Sequence, residues 1–204
     1  VYTADHGEML GDYGSVGKRT MLNPAVNIPM IVQWHDEFEA GVQNDTPVTL
    51  LDLFPTFASV AGNDSIYPSS EGRNLRDVVA GNNDREFVYS QFSEGATGLY
   101  MIAGSDYKYV YSVADRKSWL FDLQKDPDES KNWSGNPRYE TIENKFQQIL
   151  IERFETDNYD QAVEGGHWRE YEPPPFPKPD SDDGLLFQDA AHLKQLLSKL
   201  GPYW

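Results

Sequence analysis

The sequence predicts an α/β chain that passes into a small antiparallel β-sheet with a helix laid across it. Three observations predict this. A near-continuous apolar run at residues 29–32 suits a strand covered on both faces, a helical apolar pattern follows at residues 52–62, and four short β runs separated by turn residues fill residues 87–123.

Residues 1–6 read as a short strand that ends at Asp5-His6-Gly7 and enters a loop carrying Gly7, Gly11, Gly14 and Gly17. A second strand is expected over residues 28–34, around Pro29-Met30-Ile31-Val32. Leu53, Phe54, Phe57, Ala58 and Ala61 recur at helical spacing, with Asp52 placed to cap the helix, Pro55 tolerated in its first turn and Gly62 as its stop. Past a polar stretch at 63–84 come β runs at 87–92, 99–103, 107–113 and 119–123. Gly104-Ser105-Asp106 and residues 114–117 are breaks between them, which together make an antiparallel meander. Pro137 opens a helix whose Ile142, Phe146, Ile149, Leu150 and Phe154 form one apolar stripe to lie on that meander. Pro173-Pro174-Pro175-Phe176-Pro177 with Pro179 reads as a polyproline segment. A last amphipathic helix over 185–200, expected to dock by its leucines, stops at Gly201-Pro202. The pattern divides the chain into a part of an α/β domain at 1–84, an antiparallel subdomain with its helix at 85–160, and a proline-rich and helical tail at 161–204.

With 39% hydrophobic residues in 204, the chain can bury a core. Its net charge of -16 argues against nucleic acid or an anionic membrane as partner, so an anion would need a local cation to be held. The absence of Cys excludes disulfides, thiolate zinc sites and a Cys-derived nucleophile within these residues. No apolar run approaches the roughly 18 residues of a membrane span. Val1-Tyr2-Thr3 reads as the end of a strand already under way, so the chain is expected to be part of a longer protein.

Asp5 and His6 are the first candidates for chemistry. Neighbours in a strand point to opposite faces, so the two can share a ligand only where the strand breaks, and Gly7 supplies the break. Ligands of open α/β sheets gather at such carboxyl ends of strands. Taken alone, a capping Asp beside a surface His accounts for the pair as well. Lys18 lies thirteen positions after Asp5, across a loop flexible enough to return its ammonium to the carboxylate; taken alone it is a solvated surface charge.

The segment Thr3-Ala4-Asp5-His6-Gly7-Glu8-Met9-Leu10-Gly11-Asp12-Tyr13-Gly14 with Gly17-Lys18 resembles one found in type I sulfatases of the alkaline phosphatase superfamily. The likeness continues in the same order through Ile28-Pro29-Met30-Ile31-Val32, Leu51-Asp52-Leu53-Phe54-Pro55-Thr56, and Tyr107-Lys108-Tyr109-Val110 to Leu120-Phe121-Asp122-Leu123-Gln124-Lys125-Asp126-Pro127-Asp128-Glu129 with Asn132. It covers residues 1–155. It implies the C-terminal part of an alkaline-phosphatase-like α/β sheet, a sulfuric ester hydrolase activity, Asp5 and His6 as ligands of Ca²⁺, and Lys18 as a catalytic contact to the sulfate ester. It further implies a sulfate-ester substrate such as a sulfated carbohydrate, and a formylglycine nucleophile. The Cys-x-Pro-x-Arg or Ser-x-Pro-x-Arg segment that yields formylglycine is absent here, so this chain alone is expected to be inactive. Two departures bear on substrate contacts: Tyr13 stands where many sulfatases have His, and Leu22-Asn23 where they have Tyr-Glu. Residues 122–132 read as a surface turn that marks the family without doing chemistry. The alternatives are a phosphodiesterase or phosphonate monoester hydrolase of the same superfamily, and a noncatalytic carbohydrate-binding module.

Overall fold

A computed structural model describes residues 1–63, 71–82 and 85–172. In chain order its elements are β1 (Tyr2–Thr3), α1 (Asn23–Val26), β2 (Met30–Ile31), α2 (Leu53–Val60), α3 (Leu75–Val79), β3 (Val88–Phe92), β4 (Leu99–Ala103), β5 (Tyr107–Ser112), β6 (Lys117–Asp122), α4 (Glu140–Thr156), β7 (Val163–Glu164) and β8 (His167–Trp168). They fall into two compact units, residues 1–5 with 29–88, and residues 6–28 with 89 onward. The proline segment and the helix expected over 185–200 lie outside the described residues.

In the first unit β1 pairs antiparallel with β2, Tyr2 opposite Ile31 and Thr3 opposite Met30. The strand expected over 28–34 is thus shorter than its apolar run, and it is covered on one face. Met30 and Val32 line a small cavity of about 160 Å³ with Val42, Val48, Leu75 and Val78, whereas Ile31 is 61% exposed. Alternation explains this: a strand packed on one side sends every second side chain into solvent. Helix α2 forms where its periodicity places it and ends at Gly62, whose positive φ of 77° is the left-handed conformation a side chain resists.

Asp52 does not cap α2 with its side chain. A 3-10 turn at Leu50–Asp52 precedes the helix, so Asp52 sits at the third position of a capping box that begins at Thr49. Its fully buried carboxylate accepts from Thr49 N at 2.8 Å and Arg73 N at 2.7 Å, and meets the Arg85 guanidinium as a fork at 2.6 and 2.7 Å. Thr56, one turn on, donates from its hydroxyl to Asp52 O and accepts from Leu75 N, tying α2 to α3.

The second unit holds the meander, in the order β3-β4-β5-β6. Its registers run Leu99 opposite Ser112 through Ala103 opposite Lys108, then Tyr107 opposite Asp122 through Ser112 opposite Lys117. All five residues of β4 are buried. Helix α4 buries Phe146, Leu150, Ile151 and Phe154, close to the stripe read from its sequence. Strands β7 and β8 form a hairpin through Gly165 and Gly166, both at positive φ, which the sequence reading missed. A Gly-Gly pair between short runs is the signal for such a turn. The hairpin stacks Trp168 on Tyr111, with ring centroids 4.3 Å apart.

Candidate active site at the loop of residues 6–18

The strand expected over residues 1–6 spans only Tyr2–Thr3, so Asp5 and His6 follow it rather than end it, and the base of the loop is fixed by a close backbone approach. Gly7 N donates to Ala25 O at 2.8 Å and Glu8 N to Pro24 O at 2.9 Å. A Cβ at Gly7 would stand 1.9 Å from Pro24 O, so only glycine fits. Farther along, Met9 N donates to Gly17 O and Gly11 N to Ser15 O, each at 2.8 Å, which folds the loop back on itself. Glu8 closes it by accepting from Gly17 N. Met9 is buried, while Leu10 and Tyr13, both at positive φ, stand exposed at the tip.

Folding back returns Lys18 to His6, and its ammonium contacts Nε2 of the imidazole. An ammonium can only donate, so Nε2 offers its lone pair. The other nitrogen, Nδ1, lies 2.7 Å from Gly7 O, a carbonyl that can only accept. The arrangement is that of an imidazole donating from Nδ1 to Gly7 O and accepting at Nε2 from Lys18. Lys18 was expected to return to the neighbourhood of the carboxylate; the residue it meets is His6, the next residue after Asp5 on the chain. Asp5 itself is exposed.

For a divalent cation, these residues offer the Asp5 carboxylate and one imidazole lone pair. Both are ligands of suitable chemistry, yet a calcium ion takes six to eight donors. Among the described residues no group of three or more His, Asp or Glu side chains is arranged to hold a metal. By ligand type the two side chains account for two positions of such a shell.

Residues 122–132, read as a surface turn, prove to be partly interior: Asp122 and Glu129 are both buried. Burial pushes the Asp122 carboxyl up, but hydrogen bonds from Lys125 and Tyr139 outweigh it and hold the group below its usual 3.8. Glu129 is raised by burial, and Lys108, its partner, is lowered by burial; their mutual attraction opposes both shifts. The sequence signal for this pair was a lysine within a largely apolar β run, where a buried charge survives only with a partner.

Residues 11–156 match the family described as N-sulphoglucosamine sulphohydrolase, C-terminal. Lys18 falls inside that match, and Asp5 and His6 precede it. A choline-sulfatase of Rhizobium meliloti is 29% identical over 182 residues, 84% of this chain and 35% of that protein. A structure solved in complex with its substrate, D-glucosamine-2-N,6-O-disulfate, superimposes with a TM-score of 0.66 at 25% identity, covering 80% of this chain and 35% of that one. The phosphonate monoester hydrolase of Agrobacterium radiobacter shares the fold, with a TM-score of 0.65 at 23% identity over 76% of this chain and 34% of that one. The chain spans about a third of the length of these relatives. Its structural relatives carry the alkaline-phosphatase-like α/β fold. The chain belongs to the type I sulfatase family and corresponds to its C-terminal portion.

Proposed function

We propose that this chain supplies part of the active site of a sulfuric ester hydrolase, with Lys18 as the cation that meets the sulfate group. The observation that carries the reading is the His6–Lys18 contact, which holds an ammonium against the imidazole on a chain whose net charge would otherwise repel an anion. Lys18 donates to sulfate oxygens and stabilises charge that grows on the ester during cleavage. Asp5 and His6 would each contribute one donor to a divalent cation, for which calcium is the natural choice beside carboxylates. Bound there, the cation would add positive charge against the sulfate oxygens. The imidazole lone pair that would ligate it is the one that Lys18 uses here, so ligation and the Lys18 contact are alternatives at His6.

The substrate class is a sulfated carbohydrate. The support is the disulfated glucosamine that is the substrate of a structural relative. Covalent catalysis needs an activated nucleophile, and with neither a Cys nor a Ser in x-Pro-x-Arg context in these residues the chain by itself is expected to turn over no sulfate ester. Phosphonate ester hydrolysis is the second reading, favoured by the fold shared with the Agrobacterium enzyme.

The test uses the full-length protein with calcium, assayed against an aryl sulfate and an aryl phosphonate ester. Lys18→Ala should lower turnover of the sulfate about 10²–10³-fold. Asp5→Ala should abolish both calcium retention and turnover. A Lys18→Ala protein within about twofold of the parent returns Lys18 to the surface charges. Preference for the phosphonate establishes the second reading.

A further inference from the structure

Lys108, the second residue of β5, and Glu129, beyond the end of β6, form an ion pair whose side chains are 2% and 0% exposed. The ammonium also donates to Met21 O at 3.0 Å and to Asn23 Oδ1 at 2.7 Å. Glu129 Oε2 accepts from Asn23 N at 2.6 Å, and Asn23 Nδ2 donates to Pro127 O at 3.2 Å. Asn23 is gripped on its backbone and on both ends of its amide. The next two residues, Pro24 and Ala25, are the ones whose carbonyls receive Glu8 N and Gly7 N. A continuous run of hydrogen bonds therefore leads from the buried pair through residues 21–25 to the base of the loop that presents His6 and Lys18.

A buried ion pair is a poor way to gain stability, because desolvating two charges offsets most of their attraction, and apolar side chains of similar volume serve as well or better. What a charged pair adds is direction. Its hydrogen bonds specify one placement of residues 21–23, and apolar packing would allow several. We infer that Lys108 and Glu129 are positioning residues that set the place of the His6–Lys18 pair by fixing residues 21–25 beneath the loop. This rests on the sulfatase reading for its catalytic consequence, though not for its structural one.

The experiment uses the full-length protein and the variants Lys108→Met and Asn23→Ala, and follows amide hydrogen exchange alongside aryl sulfate turnover. Exchange at Gly7, Glu8 and Met9 should quicken about tenfold or more in both variants, while the β4–β5 ladder keeps its protection. Turnover, counted per folded molecule, should fall about 10–10²-fold as Lys18 loses its placement. Lys108→Met leaves Glu129 buried without its partner. Should that variant fail to fold, Asn23→Ala decides, since it removes the gripped amide and leaves the ion pair intact. Loop amides that exchange as slowly as in the parent, with the sheet intact, overturn the inference. A parent protein inactive toward sulfate esters overturns the functional reading instead, and the exchange data still decide the positioning.

Discussion

The two units of the molecule reach order by different means. In the second, four strands adjacent in sequence are adjacent in the sheet, so each finds its partner at a turn's distance and the apolar faces close locally. Leu99, Tyr100, Ile102, Tyr109, Val110 and Leu120 are completely buried. In the first, two strands of two residues pair, and Phe54 and Phe57 on α2 remain about half exposed. That unit is organised by a polar node instead, the buried Asp52 with Arg85, Thr49, Arg73 and, through the backbone, Thr56. A meander carries its core in consecutive sequence. A stretch of α/β sheet carries only its share of one.

The contrast predicts its largest effect at Tyr100. Its ring lies 4.7 Å edge-on from Phe154 and 5.9 Å from the ring of Trp168, joining β4 to α4 and to the terminal hairpin. Tyr100→Ala should cost about 3–5 kcal/mol, the range for deleting a large buried side chain and leaving a cavity. Urea unfolding measures it. A loss under about 1 kcal/mol would mean that the meander is no better closed than its neighbour, and the comparison would fail.

This difference also governs what the sequence made legible. Strands β3 to β6 and helix α4 stood out because alternation, turn residues and a helical stripe all act over short distances and agree with one another. That the loop folds back was legible for the same reason, from the glycines at its bends, but the strand ends at Thr3 rather than at Gly7, and Lys18 returns to His6 rather than to the carboxylate. Less visible was anything that joins distant positions. Asp52 looked like a helix cap because a cap is the local role of such a residue, and its actual partner Arg85 is thirty-three positions away. Lys108 and Glu129 looked like a strand residue and a turn residue, and Asn23 looked only like a departure from the family's pattern, though the three form one cluster. Ile31 looked buried because an apolar run shows no face until a partner is present.

A second, smaller effect sharpens the picture of the meander. Asp122 ends β6 almost without exposure, accepts from Lys125 Nζ at 2.6 Å and Tyr139 OH at 3.1 Å, and has its folded pKa depressed below 3.8. A depressed carboxyl contributes stability that is present above the unfolded value and lost as pH falls through the folded one. The parent should therefore lose this contribution only in acid, below about pH 4. Asp122→Asn removes the charge at every pH, so it should be less stable at neutral pH and approach the parent as pH falls from 4 to 2. Thermal unfolding across that range is the check. A gap between the two proteins that stays constant would show that the ionised carboxylate contributes nothing beyond its shape.

The smallest effect is expected at Phe57, in the middle of α2 and 47% exposed. Serine and phenylalanine have similar helix propensities, so Phe57→Ser isolates the environment of the ring from the preference of the backbone. With half of the ring already in water, the loss should be about 1 kcal/mol or less, since burial energy scales with the apolar area removed from solvent. The capping box at Thr49 and the Thr56 hydroxyl between Asp52 O and Leu75 N are untouched by the substitution and should keep the helix in place. Urea unfolding of the same protein used for Tyr100→Ala gives the comparison directly. A loss for Phe57→Ser as large as that for Tyr100→Ala would show that the ring is covered by a core of its own, and that the polar node is not what orders the first unit.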